Sequence, residues 1–342
     1  MQFDNRICGC KGIRTCLICE KGKVNPLSES NENKQEVVVY TYCPHCNFCW
    51  PDQKEGSPLY LGKITLVPDF LTEEEETKAV KEIDQIPWAP SQSGRKKQDF
   101  GPKVNFKKRK GKIGDFRGFP RFTEPFVGKL QNLTELSDFQ PVELCHLDYS
   151  PDRGSAIDPH IDDSWIWGER LVTISLVSPT FLIFTPALFH SCRCSVEVEK
   201  IMKDQFVSKK TNKCNHKHFP LSSENTESGE LCHNGWPTTE RFDCGDEDHK
   251  VEIARDICSL YRSEGATLKI NVRVPLPARS LLILAGCARH NWFHEIKRQD
   301  IKSRRLAMTF RELAEDFLGN ENEGELGEEL LATASVYCDF HQ

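Results

Sequence analysis

The chain has 342 residues and a formal net charge of -6, from 45 Lys and Arg against 51 Asp and Glu. That length fits one large catalytic unit with appendages, and the acidic balance excludes a globally cationic nucleic-acid binder relying on phosphate neutralisation. No stretch offers the roughly 20 apolar residues that span a bilayer and no export signal opens the chain, so a soluble, intracellular protein without a membrane partner is expected, its sixteen cysteines reduced or bound to metal.

Residues 1–55 read as a Cys-rich module. Cys8, Cys10, Cys16 and Cys19 combine C-x-C with C-x-x-C, a donor set suited to structural zinc, and Cys43, Cys46 and Cys49 with His45 form a second group. A Gly/Pro/Ser loop near 56–58 marks the boundary, and a catalytic domain is expected over 60–335. Lys63 to Val67 alternates as a strand, and Thr72 with Glu75 makes a capping box for a helix ending near Ile86. Between Gly94 and Lys112, nine basic residues face a single acid, Asp99; interleaved with Phe100 and Phe106, they suggest contact with nucleic acid or an acidic protein. Strand-like runs follow at 141–149, 171–178, 268–275, 280–285, 291–296 and 304–311. From 180 to 267 the periodicity fails, which reads as a poorly ordered insertion in which Phe181 to Phe189 continues an edge strand and Val251 to Tyr261 makes a short helix. Glu325 to Val336 reads as a closing helix. The expected class is therefore mainly β with flanking helices.

Two segments carry chemistry. In Asp158-Pro159-His160-Ile161-Asp162 an extended strand sends His160 and Asp162 to one face, and with one distant histidine they form the facial triad of non-haem Fe(II) oxygenases. Asp163 points away. In the run from Arg305 to Arg311, Leu306, Met308 and Phe310 share a core face, leaving Arg305, Ala307, Thr309 and Arg311 opposite. Two buried guanidiniums need an anion: either a small dicarboxylate such as 2-oxoglutarate held bidentately, or intraprotein salt bridges. For the third iron ligand, His290 and His294 share a face and spacing does not separate them. Trp165 and Trp167 either wall a substrate pocket or are plain core.

Together, H-x-D, Trp292-Phe293-His294-Glu295-Ile296 and R-x-x-x-T-F-R resemble the AlkB dioxygenases. The resemblance selects His294 as the ligand and maps Tyr149 onto a cosubstrate-contacting tyrosine, although Leu147 stands where the family often has asparagine. Gly94 to Gly101 is similar to the substrate lid of nucleic-acid-repairing members, which implies substrate contacts from Arg95, Lys96, Lys97, Gln98 and Phe100. Cys8 to Glu20 and Pro275 to Gly286 resemble in particular the branch of the fourth animal AlkB homologue. The implied fold is a double-stranded β-helix (jelly roll), with Fe(II), 2-oxoglutarate and O2 as cofactors. The implied reaction is oxidative N-demethylation releasing formaldehyde, from monomethyl-lysine in actin, with effects on actomyosin contraction and cytokinesis, or from N6-methyladenine in DNA, in cytoplasm and nucleus. The rival class is a catalytically weak scaffold that binds acidic proteins or nucleic acid.

Overall fold

The computed structural model describes residues 7–11, 14–21, 37–52, 58–187, 255–256, 269–319 and 324–340. The principal strands are β1 (Val37–Cys43), β2 (Lys63–Val67), β3 (Lys96–Phe100), β4 (Pro141–Tyr149), β5 (Ile157–His160), β6 (Trp167–Leu176), β7 (Thr180–Pro186), β8 (Lys269–Leu276), β9 (Leu281–Ala285), β10 (Trp292–Ile296) and β11 (Arg305–Leu313). The helices of five or more residues are α1 (Glu73–Gln85), α2 (Glu124–Gln131), α3 (Gly286–His290) and α4 (Gly324–Ala334), and a single turn spans Leu17–Glu20. An eight-stranded sheet runs β5-β10-β7-β8-β1 and continues through the short strands 48–51, 59–60 and 255–256. A seven-stranded sheet runs β2-β9-β6-β11-β4-β3 and ends at 89–90. Among the described residues no helix is long and apolar enough to cross a membrane.

Period-two patterning builds these layers. On β11, Leu306, Met308 and Phe310 are buried in one apolar cluster that also takes Ile83 of α1 and Leu330 of α4. The other β11 face looks into the molecule, where Arg305 pairs in register with Tyr149 of β4 and Ala307 with Ser175 of β6. α1 starts where its capping box requires: the Glu75 N–H donates to Thr72 Oγ1 at 3.1 Å and the Thr72 N–H to Glu75 Oε2 at 2.7 Å.

Three expectations change. The Cys-rich module does not stop at residue 55 as a separate body, because β1 pairs in parallel with β8, and Tyr40, Tyr42 and Cys49 join the main core. Thr180–Pro186 is not an edge of an insertion: β7 pairs with β8 on one side and β10 on the other. Its apolar side chains Leu182, Ile183 and Phe184 are buried there. The helix expected over Val251 to Tyr261 lies outside the described residues, except that Arg255–Asp256 pairs as a short strand with Leu59–Tyr60.

Candidate active site

β5 and β10 are antiparallel neighbours, and their register sets His160 directly opposite His294. Asp162 follows two residues after His160, so one donor atom from each of His160, Asp162 and His294 lies within 4.8 Å of the others. Asp162 Oδ2 is 3.4 Å from His294 Nε2 and 4.0 Å from His160 Nε2. His160 Nδ1 sits 2.9 Å from the Asp158 carbonyl, which can only accept; Nδ1 therefore carries the proton and Nε2 keeps its lone pair toward the cluster. Burial, with His294 beside it, pushes His160 down to about 4, so the imidazole is neutral near pH 7. Burial opposes ionisation of Asp162, but Arg311 and His294 outweigh it and hold the carboxyl well below the usual range. Two imidazoles and one carboxylate on a shared focus fit a divalent iron.

The two arginines of β11 have different surroundings. Arg311 donates from Nε and Nη2 to Asp162 Oδ1 at 3.0 and 2.9 Å, and from Nη1 to Glu143. Arg305 is 1% exposed; its Nη2 reaches Ser175 Oγ at 3.1 Å, while Nε and Nη1 have no hydrogen-bond partner. Its guanidinium lies 5.1 Å from the Tyr149 ring centroid. An unpaired buried cation with two idle donors fits a carboxylate. Six residues of strand separate the two arginines by roughly 20 Å along the backbone, and Arg311 pairs with the protein carboxylates of Asp162 and Glu143. The salt-bridge alternative holds for Arg311, and the vacant donors belong to Arg305.

His290 does not join the cluster. It ends α3 and pairs with Glu169 at 2.9 Å near the surface. Trp167 is core, 3% exposed, beneath the Arg311 guanidinium. Trp165 packs between Phe106 and Phe317. Asp163 is exposed, on the irregular segment just past the end of β5.

The lid residues split by parity. Gln98 and Phe100, expected to touch substrate, face α1 and the C-terminal segment instead: Gln98 Nε2 donates to the Ile83 and Ile86 carbonyls at 2.9 and 2.8 Å, and the Phe100 ring meets Phe340 at 4.9 Å. Lys96 also lies on that side, lining a cavity with Asp84 and Asp148. Arg95 and Lys97 alternate to the other face; Arg95 sits 5.9 Å from the Tyr149 ring and Lys97 pairs with Asp99. The rest of the basic run is a hairpin, Lys103–Asn105 with Lys110–Lys112, whose tip carries half-exposed Phe106.

The four N-terminal thiols Cys8, Cys10, Cys16 and Cys19 also converge within 4.8 Å, whereas Cys43, Cys46 and Cys49 form no such group among the described residues. Sequence reasoning missed Glu143, the second carboxylate on Arg311, and Arg289, whose Nη1 donates to the Asp162 carbonyl at 2.7 Å and Nη2 to that of Trp167 at 3.4 Å. For Glu143 the available signal was an acid inside an apolar strand, which asks for a cation opposite.

No family model matches the chain. The alpha-ketoglutarate-dependent dioxygenase alkB homolog 4 of Mus musculus is 40% identical over 334 residues, covering 96% of this chain and 93% of that protein. Its Homo sapiens counterpart is 38% identical over 336 residues with the same coverage. The DNA N6-methyl adenine demethylase of Caenorhabditis elegans is 29% identical over 362 residues, covering 98% and 97%. The solved structure of OsALKBH1 covers 76% of this chain at 11% identity and a TM-score of 0.33. Near 40% identity across almost the whole length joins a histidine–aspartate–histidine cluster and an unpaired arginine on a β scaffold, and the chain belongs to the AlkB family of alpha-ketoglutarate-dependent dioxygenases.

Proposed function

We propose that the protein is an Fe(II)- and 2-oxoglutarate-dependent oxidative demethylase that removes N-methyl groups as formaldehyde. The observation that carries this reading is the convergence of His160, Asp162 and His294 beside Arg305, whose two idle donors are buried on the interior face. Iron with 2-oxoglutarate and oxygen, when bound, supplies the oxidising power that hydroxylates a methyl carbon. The protein's own residues prepare for this. The Asp158 carbonyl orients His160 so that Nε2 donates; Arg311 keeps Asp162 ionised and fixes its free oxygen toward both imidazoles. Arg305, stacked beside the Tyr149 ring with Nε and Nη1 free, would hold a carboxylate of 2-oxoglutarate. The burial of Arg305 limits water around it and so strengthens its charge interactions.

For the substrate, we favour N6-methyladenine in DNA. The similarity to a worm DNA N6-methyl adenine demethylase supports it, as does a cationic hairpin with exposed Phe106 at its tip, a combination suited to phosphates and a stacked base. Monomethyl-lysine in actin is the second reading, favoured by the same hairpin facing an acidic protein surface. Cytoplasm and nucleus are the compartments proposed for either. Succinate and formaldehyde release by Fe(II)-loaded protein, offered methylated DNA and methylated actin peptide separately, tests this. Turnover with DNA alone supports the first reading and turnover with actin alone the second. No succinate from either, together with no charge-transfer band for anaerobic Fe(II) and 2-oxoglutarate, returns the protein to the scaffold class.

A further inference from the structure

The N-terminal thiols stand apart from the iron cluster and nothing in the oxidation uses them. Cys8, Cys10, Cys16 and Cys19 each offer one Sγ, all within 4.8 Å of one another, and none is in a disulfide. Cys16 and Cys19 Sγ are 3.7 Å apart. Four sulfurs at about 2.3 Å from a tetrahedral zinc stand roughly 3.8 Å from each other, so this edge already has the right length. The Cys16 N–H points at Cys19 Sγ at 3.2 Å, as it does toward a thiolate ligand. The donor set is complete, which describes a closed structural site with no position for a reacting molecule.

What the cluster touches is the approach to the iron ligands. Gly9 N–H donates to the Ser91 carbonyl at 3.1 Å, and at Gly94, with φ +75°, an added Cβ would lie 3.1 Å from Cys16 Cβ and 2.6 Å from the Arg153 carbonyl. Between Cys10 and Cys16, Arg14 reaches Asp158 Oδ2 at 3.1 Å, and the Ser93 hydroxyl donates to the same oxygen at 2.9 Å. Asp158 is the residue whose carbonyl orients His160. Just beyond Cys19, Glu20 pairs with Arg298, two residues past β10.

We propose that Cys8, Cys10, Cys16 and Cys19 bind a structural zinc ion, and that this centre, through Arg14 and the 91–94 loop, clamps Asp158 and so positions β5 beside the facial triad. Zinc binding displaces the thiol protons and folds the N-terminal segment onto the domain in one step. The centre is a positioning device, distinct from the iron site, and the zinc assignment stands whether or not the demethylase reading does.

The test uses the full chain carrying His160→Ala and Asp162→Ala, so that zinc is not counted in the iron cluster. One equivalent of zinc per chain, and cobalt substitution giving intense sulfur-to-cobalt absorption, are expected. In the same background Cys8→Ser and Cys19→Ser should lose the metal and Cys338→Ser should keep it. Substoichiometric zinc with all four thiols open to a thiol reagent, or the visible absorption of an iron–sulfur cluster, overturns the assignment. For the positioning role, hydrogen exchange compares otherwise wild-type protein with Cys8→Ser, both prepared without iron. Protection should fall selectively at 91–95 and 157–160 while α1 and β4 are unchanged. Unchanged exchange at 157–160, or global loss of protection, overturns the clamp.

Discussion

Replacing Arg305 with methionine should weaken the cosubstrate without weakening the fold. Arg305 is buried with Nε and Nη1 unpartnered, and burial already depresses its ionisation. In the ligand-free protein its charge is a liability, so an apolar side chain of similar length should leave stability equal or raised. With 2-oxoglutarate bound, two charge-assisted hydrogen bonds are lost, about 3 to 4 kcal/mol, or roughly 200- to 1,000-fold in Kd. At a concentration 100 times the wild-type Kd, 2-oxoglutarate stabilises the native protein by about 2.7 kcal/mol, and the variant by less than about 0.3 kcal/mol. Thermal unfolding with and without 2-oxoglutarate, under anaerobic Fe(II), reads both quantities. A Kd within threefold of wild type, or a ligand-free stability loss above about 2 kcal/mol, would refute the assignment of the idle donors to the cosubstrate.

Arg311→Met should behave oppositely: it strands Asp162 and Glu143, the latter already pushed up by burial, and should cost about 3 to 5 kcal/mol in urea unfolding and weaken Fe(II) binding; a change confined to the 2-oxoglutarate KM would contradict this. His146 is pushed down to about 3 by burial, against about 6.5 when unfolded, so the unfolded state binds the extra proton and stability falls as pH drops from about 6.5 toward 3, by about 2 kcal/mol at pH 5. His146→Leu leaves the Gln98 carbonyl oxygen unpaired, lowering stability at pH 7.5, yet should flatten that dependence by about 1.4 kcal/mol per pH unit; an unchanged slope would show that His146 is not the proton acceptor. Thr72→Ala removes the acceptor that opens α1 and should cost about 1 kcal/mol, about 2 °C in Tm, with 2-oxoglutarate affinity unchanged.

The elements most legible in the sequence are those written by local rules. Thr72 and Glu75 mark the start of α1 because a capping box involves four consecutive residues, period two marks β11 because one face carries Leu306, Met308 and Phe310, and the unbroken apolar run LLILA marks β9 as a strand buried on both faces. β7 was misread because Leu182, Ile183 and Phe184 are buried in succession, which leaves no alternation, and Thr180 to Pro186 runs straight into text without periodicity. The lid was misread for the converse reason. Arg95 to Phe100 was taken as one contact surface, although strand parity separates Lys97 from Gln98 and Phe100. Gln98 is held by the C-terminal carbonyls of α1, a partner lying behind the sheet that spacing along β3 does not reveal.

The two arginines mark the limit of pattern reading. Periodicity assigns Arg305 and Arg311 to one interior face, and burial physics asks for an anion at each, which the protein itself supplies to Arg311. It does not identify the anion, because Glu143 and Asp162 arrive from β4 and from just beyond β5, far away in sequence. The outcome is a division of labour: one guanidinium spent on the metal carboxylate, the other left idle behind Tyr149. A site with both arginines neutralised by protein would fold as well but would have no affinity for a cosubstrate. A site with both idle would desolvate two cations at several kcal/mol each and leave Asp162 free to protonate. On the proposed function, one paired and one unpaired arginine would keep the Asp162 carboxylate ionised while leaving a single buried charge for 2-oxoglutarate, so that cosubstrate binding would stabilise the fold in proportion to the strain it relieves.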